Sequence, residues 1–344
     1  MRQQRDGLRL MAGVGSLDFD AGHRRAFQPY PYWPVMKTNK RGPPTNNSAS
    51  IDERIWRSKS LSQNCLHDSR LIESLILQSG ITKDDTVLEI GAGKGSITQE
   101  LAKHCRNVIA VENDPQLVEL LELTIRGLTN VELIAGDIRD LELLAYPYKV
   151  FANIPYSLTA AIVTKLTSSP RSPITTHLVV QTEAACKFMG VPRESLYAVL
   201  LKPWFRVGIT HSFDRWDFSP APCVDSVLLR IDKREKPLLV PLAQTLYRDF
   251  VVYCFINGRS LYATLKRLLG PKAMEAVVAT FQIPRAVTPS AVEFEIWLCL
   301  FSEFIQHGSR SARELIAGSE RRLKKEQARL PKEYHVYMHR RGAA

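Results

Sequence analysis

From Ser62 to Ile231, short apolar runs alternate with stretches whose apolar residues recur every three or four positions. Thr86–Ile90, Asn107–Glu112, Val131–Ala135, Lys149–Ala152 and Thr176–Val180 have the length and the β-branched, aliphatic character of strands covered on both faces. Between them, Asp68 ahead of Leu71, Ile72, Leu75 and Ile76 predicts a capped helix that ends at Gly80. Ser96–His104 predicts a second helix, and Asp114-Pro115 opens a third that runs to about Ile125. Thr159–Leu166 predicts a fourth. Phe205–His211 and Ser226–Ile231 close the region as a strand pair around Phe218-Ser219-Pro220-Ala221-Pro222. This alternation predicts an α/β fold: a Rossmann-like, open and mostly parallel sheet with helices on both faces. After Pro237 the strand signals stop. Leu242–Ile256, Ser260–Leu269, Met274–Phe281 and Ser290–Gln306 all carry helical spacing, which predicts a small all-helical C-terminal domain.

The expected organisation is an N-terminal extension (1–59), an α/β domain (60–236), a helical domain (237–308) and a C-terminal tail (309–344). Residues 1–58 are rich in Arg, Pro, Asn and Ser without a sustained period, which predicts disorder. Met36 is an alternative start. A frayed helix is expected around Arg313–Gln327.

Charge changes the picture by its placement. The net charge of the 344-residue chain is +11. Residues 1–60 hold 11 Lys/Arg against 5 Asp/Glu, and residues 309–344 hold 10 against 4. The remainder holds 25 against 26, so the positive excess lies at the two ends. Such ends attract a polyanion whatever its sequence, or serve as solvated solubility tails. No apolar run approaches the roughly 18–20 residues of a membrane helix, and the basic N-terminus lacks the apolar stretch of a secretory signal. Arg2, Arg5, Arg9, Arg24 and Arg25 suit a mitochondrial transit peptide, but Asp6, Asp18 and Asp20 weigh against one. The 6 cysteines form no Cys-x-x-Cys pair, and no His stands at zinc spacing. A reduced, cytoplasmic protein without a structural metal is expected.

Gly91-Ala92-Gly93-Lys94-Gly95 follows a strand and precedes a helix, so its glycines allow a tight turn and close approach of a ligand. It is not a P-loop, because no Lys-Ser/Thr pair closes it. Glu112 ends the next strand, where a carboxylate can hold both hydroxyls of a ribose. Asp137 ends the third, placed to accept from an adenine amine. This set suits NAD or S-adenosyl-L-methionine. Asn153-Ile154-Pro155-Tyr156 at the end of the fourth strand favours the latter. An exocyclic amine is a poor nucleophile, because its lone pair is delocalised into the ring. The Asn153 side-chain oxygen and a backbone carbonyl beside Pro155 can accept both N–H bonds, and Tyr156 can stack on an extruded base. Catalysis is then mainly positioning.

These residues resemble the rRNA adenine N6-methyltransferases, the Erm and KsgA group. Ser62-Gln63-Asn64-Cys65-Leu66 is similar to the family's Gln-Asn-Phe-Leu opening, and Leu88 to Thr98 to its first cofactor motif. Asn153–Tyr156 resembles its Asn-Ile/Leu-Pro-Tyr motif, and Phe218–Ser226 its Phe-x-Pro-x-Pro-x-Val-Asp-Ser signature. The resemblance spans about residues 60–305. It implies an S-adenosyl-L-methionine methyltransferase acting on ribosomal RNA as a monomer. Cofactor contacts would come from Asn64, Leu66, Gly91, Glu112, Asp137 and Asn153; Asn153 and Tyr156 would be catalytic. Gly93-Lys94-Gly95 and Ile154 lean toward the Erm branch, which methylates 23S rRNA in the peptidyl-transferase loop and confers macrolide, lincosamide and streptogramin B resistance. The alternatives are KsgA-type dimethylation near the 3′ end of small-subunit rRNA, and a non-catalytic nucleic-acid-binding factor on the same fold.

Three departures stand out. Cys65 replaces the usual Phe. Ala184 and Ala185 stand where many Erm members carry a second base-stacking aromatic. The basic run of the helical domain is thinned to Asn257-Gly258-Arg259-Ser260-Leu261-Tyr262. Pro222-Cys223 imitates the nucleophile of cytosine-C5 methyltransferases, but it lies inside the Phe-x-Pro-x-Pro signature, so covalent catalysis is not expected.

Overall fold

The computed structural model describes residues 36–37, 64–257 and 260–329. Nearly all of the expected N-terminal extension, together with Ser62, Gln63, Gly258, Arg259 and the end of the C-terminal tail, lies outside these residues. The chain divides into two compact units. One takes the described part of Phe27–Met189 together with Phe205–Glu235; the other takes Gly190–Trp204 and the chain from Lys236 onward.

The first unit is built on strands β1 (Met36–Lys37), β3 (Thr86–Ile90), β4 (Asn107–Glu112), β5 (Val131–Ala135), β6 (Lys149–Asn153), β7 (Thr175–Gln181), β8 (Phe205–Ser212) and β10 (Ser226–Lys233). They form one sheet in the order β1-β8-β10-β7-β6-β3-β4-β5. The run β7-β6-β3-β4-β5 is parallel, whereas β10 is antiparallel to both β7 and β8. Apolar runs made these strands: Val87, Leu88, Val108, Ala110, Val150 and Phe151 are fully buried, as a sheet covered on both faces requires. Chain order reverses between β3 and β6. At such a switch point the connections leave in opposite directions, and a crevice opens beyond the carboxyl ends.

Helices α1 (Ser69–Gln78), α2 (Ser96–His104), α3 (Pro115–Thr124), α4 (Thr159–Ser168) and α5 (Thr182–Met189) flank the sheet. Asp68 caps α1 by accepting from the Arg70 amide at 3.0 Å, and Asp114 caps α3 ahead of Pro115. Ile72, Leu75 and Ile76 of α1 are at most 1% exposed and pack with Leu101 and Val108. Each such side chain contributes about 1.5–3 kcal/mol of burial. A separate two-residue ladder joins β2 (Cys65–Leu66) to β9 (Phe218–Ser219).

The second unit holds α6 (Leu196–Leu201), α7 (Gln244–Ile256), α8 (Leu261–Leu269), α9 (Pro271–Phe281), α10 (Phe294–His307), α11 (Arg310–Ile316) and α12 (Ser319–Arg329). Its centre is aromatic: the Phe250 ring lies 6.2, 5.7 and 5.0 Å from those of Trp297, Phe301 and Phe304. The Tyr247 hydroxyl donates to the Val199 carbonyl at 2.9 Å, and Trp204 meets Tyr247 edge-on. These contacts bring 190–204 into this unit.

Two elements differ from the periodicity. Helix α10 begins at Phe294 because Pro289–Ala291 forms a 3-10 turn ahead of it. The expected single frayed helix over 313–327 is two helices, broken where Gly318 takes φ +72. Asp249 of α7 accepts from the Gly318 amide at 2.7 Å and from the Glu320 amide at 2.9 Å, so it caps α12 from outside.

Candidate active site

The crevice at the switch point contains two cavities that meet at Gly91 and Pro155. The first, about 270 Å³, is lined by Asn64, Leu66, Glu89, Gly91, Asn153 and Tyr156, among others. The second, about 400 Å³, includes Gly91, Glu112, Asp137 and Ile138 in its wall. All seven residues singled out in the sequence therefore lie on this crevice.

Gly91 is where the two spaces join. It has φ +71, and a Cβ there would sit 3.8 Å from the Asn153 carbonyl oxygen and 3.8 Å from Pro155 Cδ. Both the backbone conformation and the open junction favour glycine. Gly95, with φ +84, starts α2 under a stricter limit: a Cβ would lie 2.7 Å from Leu121 Cδ1.

Glu112 is 3% exposed and does more than end β4. Its Oε2 accepts from the Gly93 amide at 2.8 Å, and its Oε1 accepts from the Asn113 and Asp114 amides at 2.9 Å. One carboxylate thus ties the glycine loop to the next strand end. Oε1 is filled by its two amides, whereas Oε2 keeps a further acceptor position for a hydroxyl. Asp137 faces the same cavity but is gripped by Arg139, whose guanidinium reaches it at 2.6 Å. The Arg139 side-chain hydrogen bonds, with its backbone amide, hold the Asp137 carboxyl below the usual range.

Asn153, at the tip of β6, donates from Nδ2 to the Asn64 carbonyl at 2.6 Å. With the amide's donor end engaged, its Oδ1 remains as an acceptor within the first cavity. Asn64 is held in turn by its neighbours, because Leu66 is 2% exposed and pairs in register with Phe218. Two of the sequence motifs are therefore strands of one small ladder, and their joint task is to hold Asn64 over Asn153. Pro155 turns the chain, its carbonyl accepts from the Leu158 amide at 2.9 Å, and a 3-10 turn over Tyr156–Leu158 follows. The Tyr156 hydroxyl shares a hydrogen bond of 2.6 Å with Ser226 Oγ on β10.

Glu89 was not singled out in the sequence. It is 1% exposed, lines the first cavity, and accepts from Thr98 Oγ1 at 2.6 Å. Burial pushes its carboxyl up to about 8, opposed by the Thr98 hydrogen bond and assisted by the charge of Glu112. An acid inside the apolar run Thr86–Ile90 was the available signal. Ser226 was legible only as part of the Phe218–Ser226 signature. Cys223 is exposed and lines neither cavity, which gives it no place in a covalent mechanism. Ala185 is fully buried in α5. No group of three metal-ligating side chains exists among the described residues, and no helix there is long and apolar enough to cross a membrane.

A switch-point crevice with a glycine loop, an acid at each of the next two strand ends and a buried acid beneath fits an adenosine joined to an amino acid. The molecule is an S-adenosyl-L-methionine-dependent methyltransferase. Residues 57–306 match the ribosomal RNA adenine dimethylase family, and the chain belongs to it: it is an rRNA adenine N6-methyltransferase. An rRNA adenine N-6-methyltransferase of Bacteroides fragilis is 35% identical over 70% of this chain and 90% of its own. A ribosomal RNA small subunit methyltransferase A of Levilactobacillus brevis is 28% identical over 78% and 97%. The crystal structure of the 23S rRNA methyltransferase ErmE superposes with a TM-score of 0.63 at 32% identity, covering 70% of this chain and 99% of that one.

Proposed function

We propose that this chain methylates N6 of an adenine in the peptidyl-transferase loop of 23S rRNA, and thereby confers macrolide, lincosamide and streptogramin B resistance. The observation that carries the choice of subunit is the likeness to ErmE, at 32% identity and a TM-score of 0.63 over 99% of that chain. Of the expected 60–236 domain, the α/β unit without Gly190–Trp204 would be catalytic in a cytoplasmic monomer, with the helical unit, which includes 237–308, helping to clasp RNA.

Bound S-adenosyl-L-methionine would supply an electrophilic methyl group on a sulfonium. Glu112 would hold its ribose hydroxyls and Asp137 its adenine amine, with Gly91 beneath and Asn64 and Leu66 covering. Glu89 would face its amino-acid end. For the target adenine, Asn153 Oδ1 and the Ile154 carbonyl would accept the two N6 hydrogens. The Pro155 carbonyl is turned to the Leu158 amide, from which it accepts. Accepting both hydrogens localises the amine lone pair and aims it, so that the rate comes from positioning. Tyr156, steadied by Ser226, would stack on the extruded base.

The second reading is methylation of small-subunit rRNA, favoured by the 28% identity to the Levilactobacillus protein over 97% of its length. Primer extension across both rRNA regions, in cells with and without this protein, separates the two. A new stop in the 23S peptidyl-transferase loop is expected. A change confined to the small-subunit 3′ end would overturn the proposal.

A further inference from the structure

We propose that the outward face of α12 is a phosphate-gripping surface for the rRNA substrate, carried by Arg321, Lys325 and Arg329. It rests on rRNA being the substrate and not on which subunit is methylated. The family match ends at residue 306, so α11 and α12 lie beyond it. Helix α12 carries five cations, Arg321, Arg322, Lys324, Lys325 and Arg329, against Glu320 and Glu326.

This helix is held in place with little apolar burial. Ser319 is its one fully buried residue, and Leu323 and Gln327 are half-buried. A short helix with so little apolar burial is not stable by itself. It is fastened to α7 by polar contacts instead. Asp249 caps its N-terminus, and the Arg248 guanidinium forks onto Glu320 at 2.8 and 2.7 Å. Glu320 and Arg248 are largely buried, at 17% and 15% side-chain exposure.

The anchored side consists of Glu320, Leu323 and Gln327. At 100° per residue, Arg321, Lys325 and Arg329 fall on the opposite side. They form a row about 12 Å long. All three are exposed, and no carboxylate pairs with any of them among the described residues. Arg322 is spent internally, on the Ala317 carbonyl and Ser319 Oγ. A rigidly mounted row of unpaired cations suits a polyanion backbone. An anionic membrane fits poorly, because an interfacial helix needs an exposed apolar stripe. The large apolar side chain of α12, Leu323, is on the anchored side.

The test is binding of deproteinised ribosomal RNA between 50 and 200 mM KCl, comparing the full chain with the combined Arg321→Gln, Lys325→Gln, Arg329→Gln variant. Each lost phosphate contact should reduce the log–log salt slope by about 0.7–0.9. The expected change is a slope lower by about 2–3 and an affinity at least 10-fold weaker at 100 mM. S-adenosyl-L-methionine affinity should be unchanged, which shows that the variant is folded. A charge-matched control, Lys83→Gln, Lys103→Gln, Arg126→Gln, removes cations at the amino-terminal edge of the sheet and should leave most of the slope intact. An unchanged slope in the α12 variant, or an equal fall in the control, overturns the proposal. So does loss of binding to phosphatidylserine vesicles with RNA binding intact. The nucleotide mapped by primer extension should be the same in both proteins, so a wrong subunit assignment would show separately.

Discussion

Replacing Glu89 by Gln should flatten the pH dependence of folding stability and weaken the cofactor site together. The carboxyl is 1% exposed, and burial pushes it from its ordinary value of 4.5 up to about 8. Between those values the folded chain holds a proton that the unfolded chain has released. The folded state binds more protons there, so stability falls as pH rises from 4.5 to about 8 and levels off above. A tenfold change in an ionisation constant is worth about 1.4 kcal/mol, so the span from 4.5 to about 8 sets a ceiling on the order of 5 kcal/mol. Local relaxation around the buried carboxyl brings the expected loss to roughly 2–3 kcal/mol. Glutamine keeps an oxygen for the Thr98 hydroxyl and never ionises. Urea unfolding of both proteins at pH 5.5, 7 and 8.5 measures the difference directly. The variant should gain on the parent as pH rises, with the larger advantage at pH 8.5 and the smaller at pH 5.5. A cofactor ammonium beside Glu89 would favour the carboxylate. Titration of S-adenosyl-L-methionine at pH 7, in two buffers of different ionisation enthalpy, should therefore show release of close to one proton. That release should vanish in the variant, with affinity at least 10-fold weaker. Parallel stability curves for the two proteins between pH 5.5 and 8.5 would refute the reasoning, because Glu89 would then be ionised in the fold.

Asn153→Ala should retain RNA binding and lower the methylation rate by about 100-fold or more, measured as single-turnover methyl transfer; a fall below fivefold would remove the acceptor role of the amide. Gly91→Ala places a Cβ at the junction of the two cavities and forces φ +71 on a residue that disfavours it. Calorimetry should show cofactor affinity at least 10-fold weaker and stability lower by about 1–2 kcal/mol. Ser226→Ala removes the partner of the Tyr156 hydroxyl. The expected loss is about 1 kcal/mol, or roughly fivefold in kcat, with cofactor affinity unchanged. Tyr156→Phe should match it and add nothing in the double variant.

Strands β3, β4, β6 and β7 were legible because they carry apolar runs, which is what burial on both faces demands. Strand β5 proves to be a half-exposed edge strand, and β1, Met36–Lys37, was not anticipated, since it falls in the segment expected to be disordered. Helices α5 and α6 were not anticipated. They are short, and α6 belongs with helices that begin some forty residues later, a contact no local period encodes. In the site, the glycine loop and the strand-end acids could be read because their spacing is itself the signal. The grip of Arg139 on Asp137 could not, since charges two apart in a loop have no fixed geometry. The break at Gly318 was missed for a similar reason. The cap that explains it, Asp249, lies 69 residues earlier in the chain.

Asn153 has one donating end and one accepting end, and the Asn64 carbonyl claims the donor. A half-turn of this amide would exchange the two and present hydrogens to an amine that already carries its own. The correct polarity is therefore conditional on a segment 89 residues upstream being seated. That segment is held by a ladder only two residues long on each strand, whose Leu66 and Phe218 side chains pack into the core. Local opening of so small a ladder costs far less than unfolding the domain. Chemistry at the β6 tip thus has a built-in precondition. On the proposed mechanism, an amine meets the activating arrangement only where this ladder is formed.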